Sequence, residues 1–341
     1  MNRIKVVDVT LRDGGYRNNF QFSEAYAQSA ISQLASAGIE YCEVGYCKGP
    51  YQDDPAFGMT AKVDARYLHL LRDAAADRIG LVVMVHPQHV SDEDLVMLHD
   101  AGVEMVRVCL RPSRLEQGLA CMARAKAHRL QVSANITHVT QLQPAIISDM
   151  CLRAENAGAD ILTFADSNGS MIPADVDRLI GRISRRVLIP LGFHAHNNLS
   201  LALANAIAAV EAGAEYIDTS ICGMGKGAGN LHLGMFVAYL QRAGLRTAYD
   251  LVELLNLSQH TAEQVPLSHL PASLLDVLTA TYDLSFDTQA QARGLVANGL
   301  AASEFHAMRV LHEQRQERRC TSGPSLGHGI EAPRLAQGGW A

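Results

Sequence analysis

The pattern with the clearest chemical meaning in this 341-residue sequence is a pair of histidines, His194 and His196, with a single residue between them. They end a short apolar run that is typical of a β-strand. Side chains two positions apart on a strand project from the same face, so the two imidazoles can share one ligand. The pair alone leaves two interpretations open: hydrogen-bonded core histidines, or two ligands of a divalent metal ion.

Other reactive side chains also follow the ends of predicted strands. Arg12, Asp13 and Tyr16 follow the first strand, and Ser167 follows the sixth. The second, third and fifth strands contribute Glu43, His86 and His138. If the predicted strands form a parallel barrel, as their pattern described below favours, functional groups collect where the strands end and the loops begin. We therefore expect nearly all of these groups at one end of the molecule.

Closure of such a barrel would bring Asp13 beside the histidine pair, because the eighth strand lies between the seventh and the first. Two imidazoles and one carboxylate, with open positions for water and substrate, make a catalytic divalent site. This arrangement favours the metal interpretation. We predict one divalent ion, bound by Asp13, His194 and His196.

The glycine-rich segment 223–230 has several interpretations. It matches G-x-G-x-x-A, but a dinucleotide-binding loop should follow the first strand of a βαβ unit, and this segment follows the eighth strand. It is not a phosphate-binding Walker loop, because glycine follows Lys226. An ordinary turn remains possible. A flexible loop could also bring the Asn230 carbonyl to the same metal ion.

The elements that must position these groups are eight short apolar runs alternating with helical patterns. The runs start near Ile4, Ile39, Ile79, Met105, Gln131, Ile161, Leu191 and Tyr216. Helical periodicity covers 23–37, 143–157 and 199–212, and Ser23 offers an N-cap oxygen. An Ala-Gly pair ends four of the helices. Eight near-equal β–α units favour an α/β, (β/α)8 TIM barrel over an open doubly wound sheet.

The strand pattern stops near residue 244, which suggests three regions. We predict a TIM-barrel catalytic domain over 1–245 and a small helical extension over 246–319, with helices at 249–264, 272–282 and 302–319. The segment 320–341 contains five glycines and two prolines without apolar periodicity. We predict that it is a disordered tail.

Composition excludes several classes of protein. The net charge is −6, 48% of residues are hydrophobic and 19% are charged, which argues against a disordered chain and against nucleic acid as the main partner. The seven cysteines form no C-x-x-C pair. No apolar run predicts a membrane span or a signal peptide. We expect a protein of the reducing cytoplasm, not bound to membranes.

Three segments resemble the signatures of the metal-dependent TIM-barrel lyases and synthases, the DRE-TIM metallolyases. They are Thr10-Leu11-Arg12-Asp13-Gly14, His194-Ala195-His196 and Gly227-Ala228-Gly229-Asn230. Within that family the sequence most resembles the 4-hydroxy-2-oxovalerate aldolases, which also share the segments 164–169 and 196–201. The likeness covers roughly residues 4–245.

The resemblance implies a role for each matching position. It implies Mn²⁺ or Mg²⁺ at Asp13, His194 and His196, with an amide ligand at Asn230. Arg12 would hold the 2-keto oxygen of the substrate as it becomes an enolate. Glu43 would contact residues of the site without binding the metal ion or the substrate itself, and Ser167 would contact the substrate carboxylate.

Two departures from the aldolases matter. Their histidine base is replaced here by Tyr16, whose phenol is a poor base unless a cation lowers its pKa. We expect the metal ion and Arg12 to lower it and Tyr16 to take part in proton transfer, with His138 or His86 as the alternative carrier. The C-terminal region matches weakly; Tyr282 is either a counterpart of the aldolases' site tyrosine or a packed helix residue.

We therefore expect a divalent-metal-dependent aldolase, a carbon–carbon lyase, that cleaves or forms a 4-hydroxy-2-oxo acid through a metal-bound enolate of pyruvate or a similar 2-oxo acid. A Claisen-type acyl-CoA synthase or lyase of the same superfamily is the first rival. A non-catalytic barrel that binds a 2-oxo acid is the second. The expected partners are a small 2-oxo acid and an aldehyde, with an aldehyde dehydrogenase and further copies of the chain as possible protein partners.

Overall fold

The computed structural model describes residues 4–49, 54–245, 248–266 and 274–321. Within them, eight parallel strands form a closed barrel in chain order, with β1 hydrogen-bonded to both β2 and β8. The strands are β1 (Lys5–Asp8), β2 (Tyr41–Cys47), β3 (Gly80–Val85), β4 (Val103–Leu110), β5 (Gln131–Ile136), β6 (Ile161–Asp166), β7 (Leu191–Ala195) and β8 (Tyr216–Thr219). The predicted TIM barrel is confirmed.

A helix follows each strand and covers the outside of the barrel. These helices are α1 (Glu24–Ser36), α2 (Ala65–Ala75), α3 (Asp92–Asp100), α4 (Leu115–Ala127), α5 (Pro144–Asn156), α6 (Pro173–Ile183), α7 (Ala202–Glu211) and α8 (Leu233–Arg242). Ser23 caps α1 as predicted, since its hydroxyl accepts a hydrogen bond from the Tyr26 amide at 3.1 Å. Gly38 ends the same helix with a φ of +87°, which a side chain would strain.

The barrel interior is apolar at one end and polar at the other. Side chains of several strands form a buried apolar cluster at the amino-terminal end; its members are Val7, Val9, Tyr41, Val82, Met105, Ile161 and Tyr216. Two residues further along β2, β4 and β8 lie Glu43, Arg107 and Asp218, which are also buried. Because alternate residues of a strand face the same side, the sequence of β4 places its arginine inside the barrel.

Among the described residues after the barrel there are four α-helices: α9 (Leu251–Gln264), α10 (Leu274–Thr281), α11 (Asp287–Ala297) and α12 (Glu304–Thr321). Helix α9 packs on α1, where the hydroxyls of Tyr26 and Thr261 lie 2.9 Å apart. The last three helices share their own small apolar core, which includes Leu275, Ala292 and Met308. The sequence patterns predicted α9, α10 and α12 but not α11.

The predicted tail falls almost entirely outside the described residues. Helix α12 extends to Thr321, so it includes the first two positions of the segment 320–341. Residues 322–341 lie outside the described part of the chain.

The structure also bears on the cysteines and on membranes. Among the described residues, no helix has both the length and the apolar character that crossing a bilayer requires. The six cysteines with described side chains are free thiols; they are Cys42, Cys47, Cys109, Cys121, Cys151 and Cys222.

Candidate active site

A cavity of about 740 Å³ opens at the carboxyl ends of the strands. Most of the side chains selected from the sequence line it: Arg12, Asp13, Tyr16, His86, His138, Ser167, His194 and His196. Glu43 and Asn230 do not line the cavity but are buried directly behind it, against Arg12 and Asp13 respectively. The structure therefore brings the selected residues together at one end of the barrel.

Asp13, His194 and His196 form a compact, buried group. One potential ligand atom from each lies within 4.8 Å of the others. The two Nε2 atoms of His194 and His196 are 3.3 Å apart, and His196 Nε2 is 4.0 Å from an Asp13 carboxylate oxygen. These distances allow all three side chains to bind one ion.

Each of the two histidines has an oxygen atom next to its Nδ1, which determines that this ring nitrogen carries a proton. His194 Nδ1 lies 2.9 Å from an Asp218 carboxylate oxygen, and His196 Nδ1 lies 3.2 Å from the Lys226 carbonyl oxygen. Both oxygens can only accept, so each Nδ1 donates its proton, and each Nε2 is left to face the space beside Asp13. Burial lowers the pKa of His196 to about 4, which keeps this ring neutral near pH 7.

The two Nε2 atoms are 3.3 Å apart, close enough for both to bind the same cation. Asp13 supplies negative charge to the same point, because its pKa is held below the ordinary value: burial would raise it, but Arg12 and the two histidines outweigh burial. The donor set of two imidazoles and one carboxylate therefore fits a divalent metal ion.

The glycine-rich loop carries Asn230 to this group. The backbone N–H of Asn230 donates to the Gly223 carbonyl oxygen at 2.9 Å, and Gly229 has a φ of +97°. A Cβ at Gly229 would lie 2.1 Å from the Gly223 oxygen, so only glycine fits this turn. Asn230 Nδ2 donates to Asp13 at 2.9 Å, while Asn230 Oδ1 is buried and has no hydrogen-bond partner among the described residues. An unpaired buried oxygen here suits a hard cation.

Arg12 lies beside the group formed by Asp13, His194 and His196, and it is held by two carboxylates. Its Nε donates to Glu43 at 2.6 Å, and its Nη1 forms a short ion pair with Asp13. Only 6% of Arg12 is exposed, and the exposed part faces the cavity. The guanidinium is therefore fixed next to the position that a bound ion would take.

Arg107 is a residue that sequence reasoning missed. It is 1% exposed and donates to Asp218 at 2.7 Å, to Asn135 at 3.2 Å and to Glu43 at 3.4 Å. It thus joins the carboxylate that holds Arg12 to the carboxylate that orients His194. The signal in the sequence was an arginine at an inward-facing position of an otherwise apolar strand.

The surroundings of Tyr16 differ from the expectation. Its hydroxyl lies 3.1 Å from the hydroxyl of Tyr46, a cavity residue that sequence reasoning did not select. Arg12 lowers the pKa of Tyr16, as expected, but burial and Tyr46 raise it by more, so the pKa lies well above 10. Burial and Tyr46 therefore oppose the expected lowering, and without a bound ion this environment favours the protonated phenol.

His138 and His86 are both neutral imidazoles near pH 7. Burial and the nearby Arg111 lower the pKa of each to about 4. The backbone amide of His138 donates to Ser167 Oγ at 2.9 Å, which leaves the Ser167 hydroxyl proton available for a ligand. His138 can therefore accept a proton, and Ser167 can donate a hydrogen bond, in the same cavity.

The segment after the barrel also contributes to the cavity. Phe286, Asp287 and Arg315 line it, and the Lys226 ammonium lies 5.1 Å from the centre of the Phe286 ring. Tyr282 is not among the lining residues; its ring stacks on His312 with centroids 4.5 Å apart. The chain beyond the barrel closes one side of the site through residues that the sequence did not single out.

Comparison with known proteins agrees with this fold. The HMGL-like family profile matches residues 3–261. The 4-hydroxy-2-oxovalerate aldolase of Moorella thermoacetica is 34% identical over 79% of this chain and 78% of its own length. The oxaloacetate decarboxylase of Mycobacterium tuberculosis is 31% identical over 72% of each chain.

A solved structure extends the match to three dimensions. The N-terminal domain of a provisionally assigned aldolase from Bacteroides vulgatus superposes with a TM-score of 0.77 at 25% identity, covering 90% of this chain and all of that one. The family match spans the whole barrel and most of α9, and it includes Asp13, His194 and His196. The chain belongs to the HMGL-like family.

Proposed function

We propose that this protein is a divalent-metal-dependent aldolase that cleaves or forms the C3–C4 bond of a 4-hydroxy-2-oxo acid, through the enolate of pyruvate or a similar 2-oxo acid. One observation carries the proposal: the Nε2 atoms of His194 and His196 converge with the Asp13 carboxylate directly beside the Arg12 guanidinium. The similarity to 4-hydroxy-2-oxovalerate aldolases supports the choice of substrate class.

Asp13, His194 and His196 would hold the ion, with Asn230 Oδ1 as a fourth ligand. We propose Mn²⁺ or Mg²⁺, which accept oxygen ligands readily. When bound, such an ion polarises the 2-keto group and so favours formation of the enolate.

Arg12 stabilises the negative charge that develops on the 2-keto oxygen. Glu43 and Asp13 fix the guanidinium before the substrate arrives, so no reorganisation is needed during the reaction. A preorganised donor of this kind contributes roughly 2.7–4 kcal/mol to the stability of the transition state. Ser167 donates a hydrogen bond to the substrate carboxylate.

Cleavage needs a group that removes the proton of the 4-hydroxyl. As that O–H bond breaks, C4 becomes an aldehyde, and the electrons of the C3–C4 bond form the enolate, which later takes a proton at C3. We assign removal of the 4-hydroxyl proton to His138, because its neutral imidazole can accept this proton. Tyr16 is protonated and hydrogen-bonded to Tyr46, so it is suited to donating a proton within the same relay.

The predictions of a cytoplasmic location, a homo-oligomer and an aldehyde dehydrogenase partner follow from composition and resemblance alone. They stay predictions. The small-molecule partners that the cavity favours are a 2-oxo acid and an aldehyde.

The test is pyruvate release from racemic 4-hydroxy-2-oxopentanoate, measured with lactate dehydrogenase in the presence of Mn²⁺ or Mg²⁺. Activity should require the ion and should be lost in Asp13→Ala, whereas Asp100→Ala, an exposed aspartate on α3, should behave as wild type. Parallel assays with acetyl-CoA and with oxaloacetate test a Claisen reaction and a decarboxylation. Turnover of either, without release of pyruvate from the hydroxy acid, would overturn the proposed reaction.

A further inference from the structure

The cavity carries more positive charge than the proposed chemistry uses. Its lining holds four cationic side chains and two carboxylates: Arg12, Arg111, Lys226 and Arg315 against Asp13 and Asp287. Arg12 is paired with Glu43 and Asp13, and Arg315 donates to the Asp283 carbonyl oxygen at 2.7 Å. Within the described part of the chain, neither Arg111 nor Lys226 forms an ion pair with a carboxylate.

The two unpaired cations line the same cavity as His138, the proposed proton acceptor. Arg111 follows β4 directly and is exposed at the mouth of the cavity, while Lys226 belongs to the glycine-rich loop. Both charges act on His138, whose pKa they lower further below the value set by burial. The space next to His138 is therefore bordered by Arg111 and Lys226.

Aromatic rings hold the Lys226 side chain in place. Its ammonium lies 5.3 Å from the centre of the Tyr16 ring and 5.1 Å from that of Phe286. Such cation–π contacts orient the ammonium without neutralising its charge. Lys226 is thus a fixed positive charge, with its hydrogen-bond donors available to a ligand.

The proposed function sets where this charge meets the substrate. The carboxylate and 2-keto groups belong with the metal-binding group, Arg12 and Ser167, and the 4-hydroxyl belongs with His138. The part of the molecule beyond C4 comes from the aldehyde and extends into the part of the cavity next to His138, whose wall includes Arg111 and Lys226. An anion there would pair with a guanidinium fork and an ammonium, the donors that carboxylates and phosphates favour.

We propose that Arg111 and Lys226 form a subsite for an anionic group, a carboxylate or a phosphate, at the aldehyde-derived end of the substrate. This inference rests on the proposed aldolase function, because that function places the aldehyde carbon beside His138. The substrate would carry one negative charge at each end.

Matched pairs of aldehydes test the subsite in the aldol direction, with pyruvate and saturating Mn²⁺. One pair is 4-oxobutanoate and pentanal, which differ mainly by the carboxylate. The other is glyceraldehyde 3-phosphate and glyceraldehyde, which differ by the phosphate. In the wild type, kcat/KM should be about 10-fold or more higher for at least one charged member than for its neutral counterpart. The pair with the larger ratio identifies the anion.

Three variants separate the subsite from a general effect of charge. Arg111→Gln and Lys226→Met should each lower the charged-to-neutral ratio of kcat/KM by about 10-fold. Arg242→Gln removes an exposed arginine from the end of α8, at the opposite end of the barrel, and should leave the ratio unchanged. The wild-type ratio should also fall as salt is raised, because ions screen exposed charge pairs.

Failure of the subsite and failure of the proposed function give different results. Equal kcat/KM within both pairs, or ratios unchanged in Arg111→Gln and Lys226→Met, would overturn the subsite while leaving the aldolase intact. If no aldehyde reacts, the aldolase proposal fails, and calorimetry then compares 2-oxopentanedioate with 2-oxopentanoate, neither of which can undergo cleavage. Tighter binding of the dianion that is lost in Arg111→Gln would support the anion subsite; equal binding, or no binding of either, would overturn it.

Discussion

Among single residues, Arg12 has the geometry most specialised for a transition state. Glu43 binds its Nε and Asp13 binds its Nη1, so the two carboxylates use separate edges of the planar guanidinium. A lysine keeps the positive charge but lacks this fork. Charge alone would therefore not reproduce the position that the structure gives to Arg12.

We expect Arg12→Lys to lower kcat by about 10²-fold or more, because the donor no longer meets the developing oxyanion. Metal content should stay near that of the wild type, since the proposed ligands are unchanged. Steady-state kinetics and elemental analysis measure the two effects. Arg66→Lys, at an exposed pair with Glu24, is the matched control and should change neither. Near-normal kcat in Arg12→Lys would remove Arg12 from the mechanism.

His138 and Tyr16 should respond differently to pH. His138 is an acceptor only when neutral, and its pKa of about 4 means that activity should fall as the pH drops toward that value. Tyr16 has a pKa well above 10, so it should not titrate in the neutral range. The two side chains can therefore be distinguished by a pH profile.

We expect His138→Gln to lower kcat by about 10²-fold and to remove its share of the acid limb, measured from about pH 3.5 to 9.5 at saturating Mn²⁺. Tyr16→Phe should lower kcat while the shape of the profile between pH 6 and 9 stays the same. The exposed His99 supplies the control variant His99→Gln. If His138→Gln turns over normally with the acid limb intact, the proton is carried by another group.

Among the elements, β4 shows how one strand serves three layers of the barrel. Met105 belongs to the apolar cluster, Arg107 to the buried charged layer, and Cys109 to the cavity wall. The charged layer connects β2, β4 and β8 through Glu43, Arg107 and Asp218. Its two carboxylates serve different parts of the site, because Glu43 holds Arg12 and Asp218 orients His194.

Because Glu43 on β2 and Asp218 on β8 serve different parts of the site, we expect substitutions at the two positions to have different effects on metal affinity and kcat. Asp218→Asn should weaken Mn²⁺ binding by about 10- to 100-fold, because His194 loses the anion that fixes its tautomer. Glu43→Gln should lower kcat at saturating metal and leave the affinity for Mn²⁺ near that of the wild type. Competition with a fluorescent chelator gives the affinity, and circular dichroism checks folding. Parallel losses of affinity and kcat in both variants would argue against separate roles.

The sequence predicts the strands better than the connections among their side chains. Periodicity and the Ala-Gly helix ends are local signals, so they locate the eight β–α units, and barrel closure then predicts that Asp13 meets His194 and His196. Arg107 was missed because a polar residue in an apolar strand faces solvent in many sheets. It faces inward here because all outer faces of the barrel are covered by helices.

The C-terminal contribution to the site was beyond local signals. Helix α11 carries few large apolar residues, so its pattern is weak, and the contact of Phe286 with Lys226 joins distant parts of the chain. The direction of the Tyr16 pKa shift likewise depends on burial and on Tyr46, which only packing reveals. Non-local contacts decide what the periodic pattern leaves open.

At the scale of the whole molecule, buried carboxylates couple the stability of the barrel to pH. Asp8, at the end of β1, is fully buried and accepts hydrogen bonds from the amide and the hydroxyl of Thr10 at 3.0 and 2.9 Å. Burial raises its pKa from 3.8 to about 7, although Thr10 opposes the shift. Asp166 at the end of β6 is shifted in the same direction, to about 6.

A raised pKa in the folded state means that folded Asp8 keeps its proton where the unfolded chain releases it. The free energy of unfolding should therefore fall as the pH rises from about 4 to about 7, by up to roughly 4 kcal/mol from Asp8. Asp8→Asn mimics the protonated carboxyl and should therefore lose the contribution of Asp8 to the pH dependence of the free energy of unfolding. The contribution of Asp166 should remain. Urea unfolding at pH 5 and pH 8 should show a smaller decrease for Asp8→Asn than for wild type, and Asp100→Asn, at an exposed position, should match the wild type. An equally steep decrease in Asp8→Asn would mean that Asp8 is already ionised in the folded barrel at pH 5.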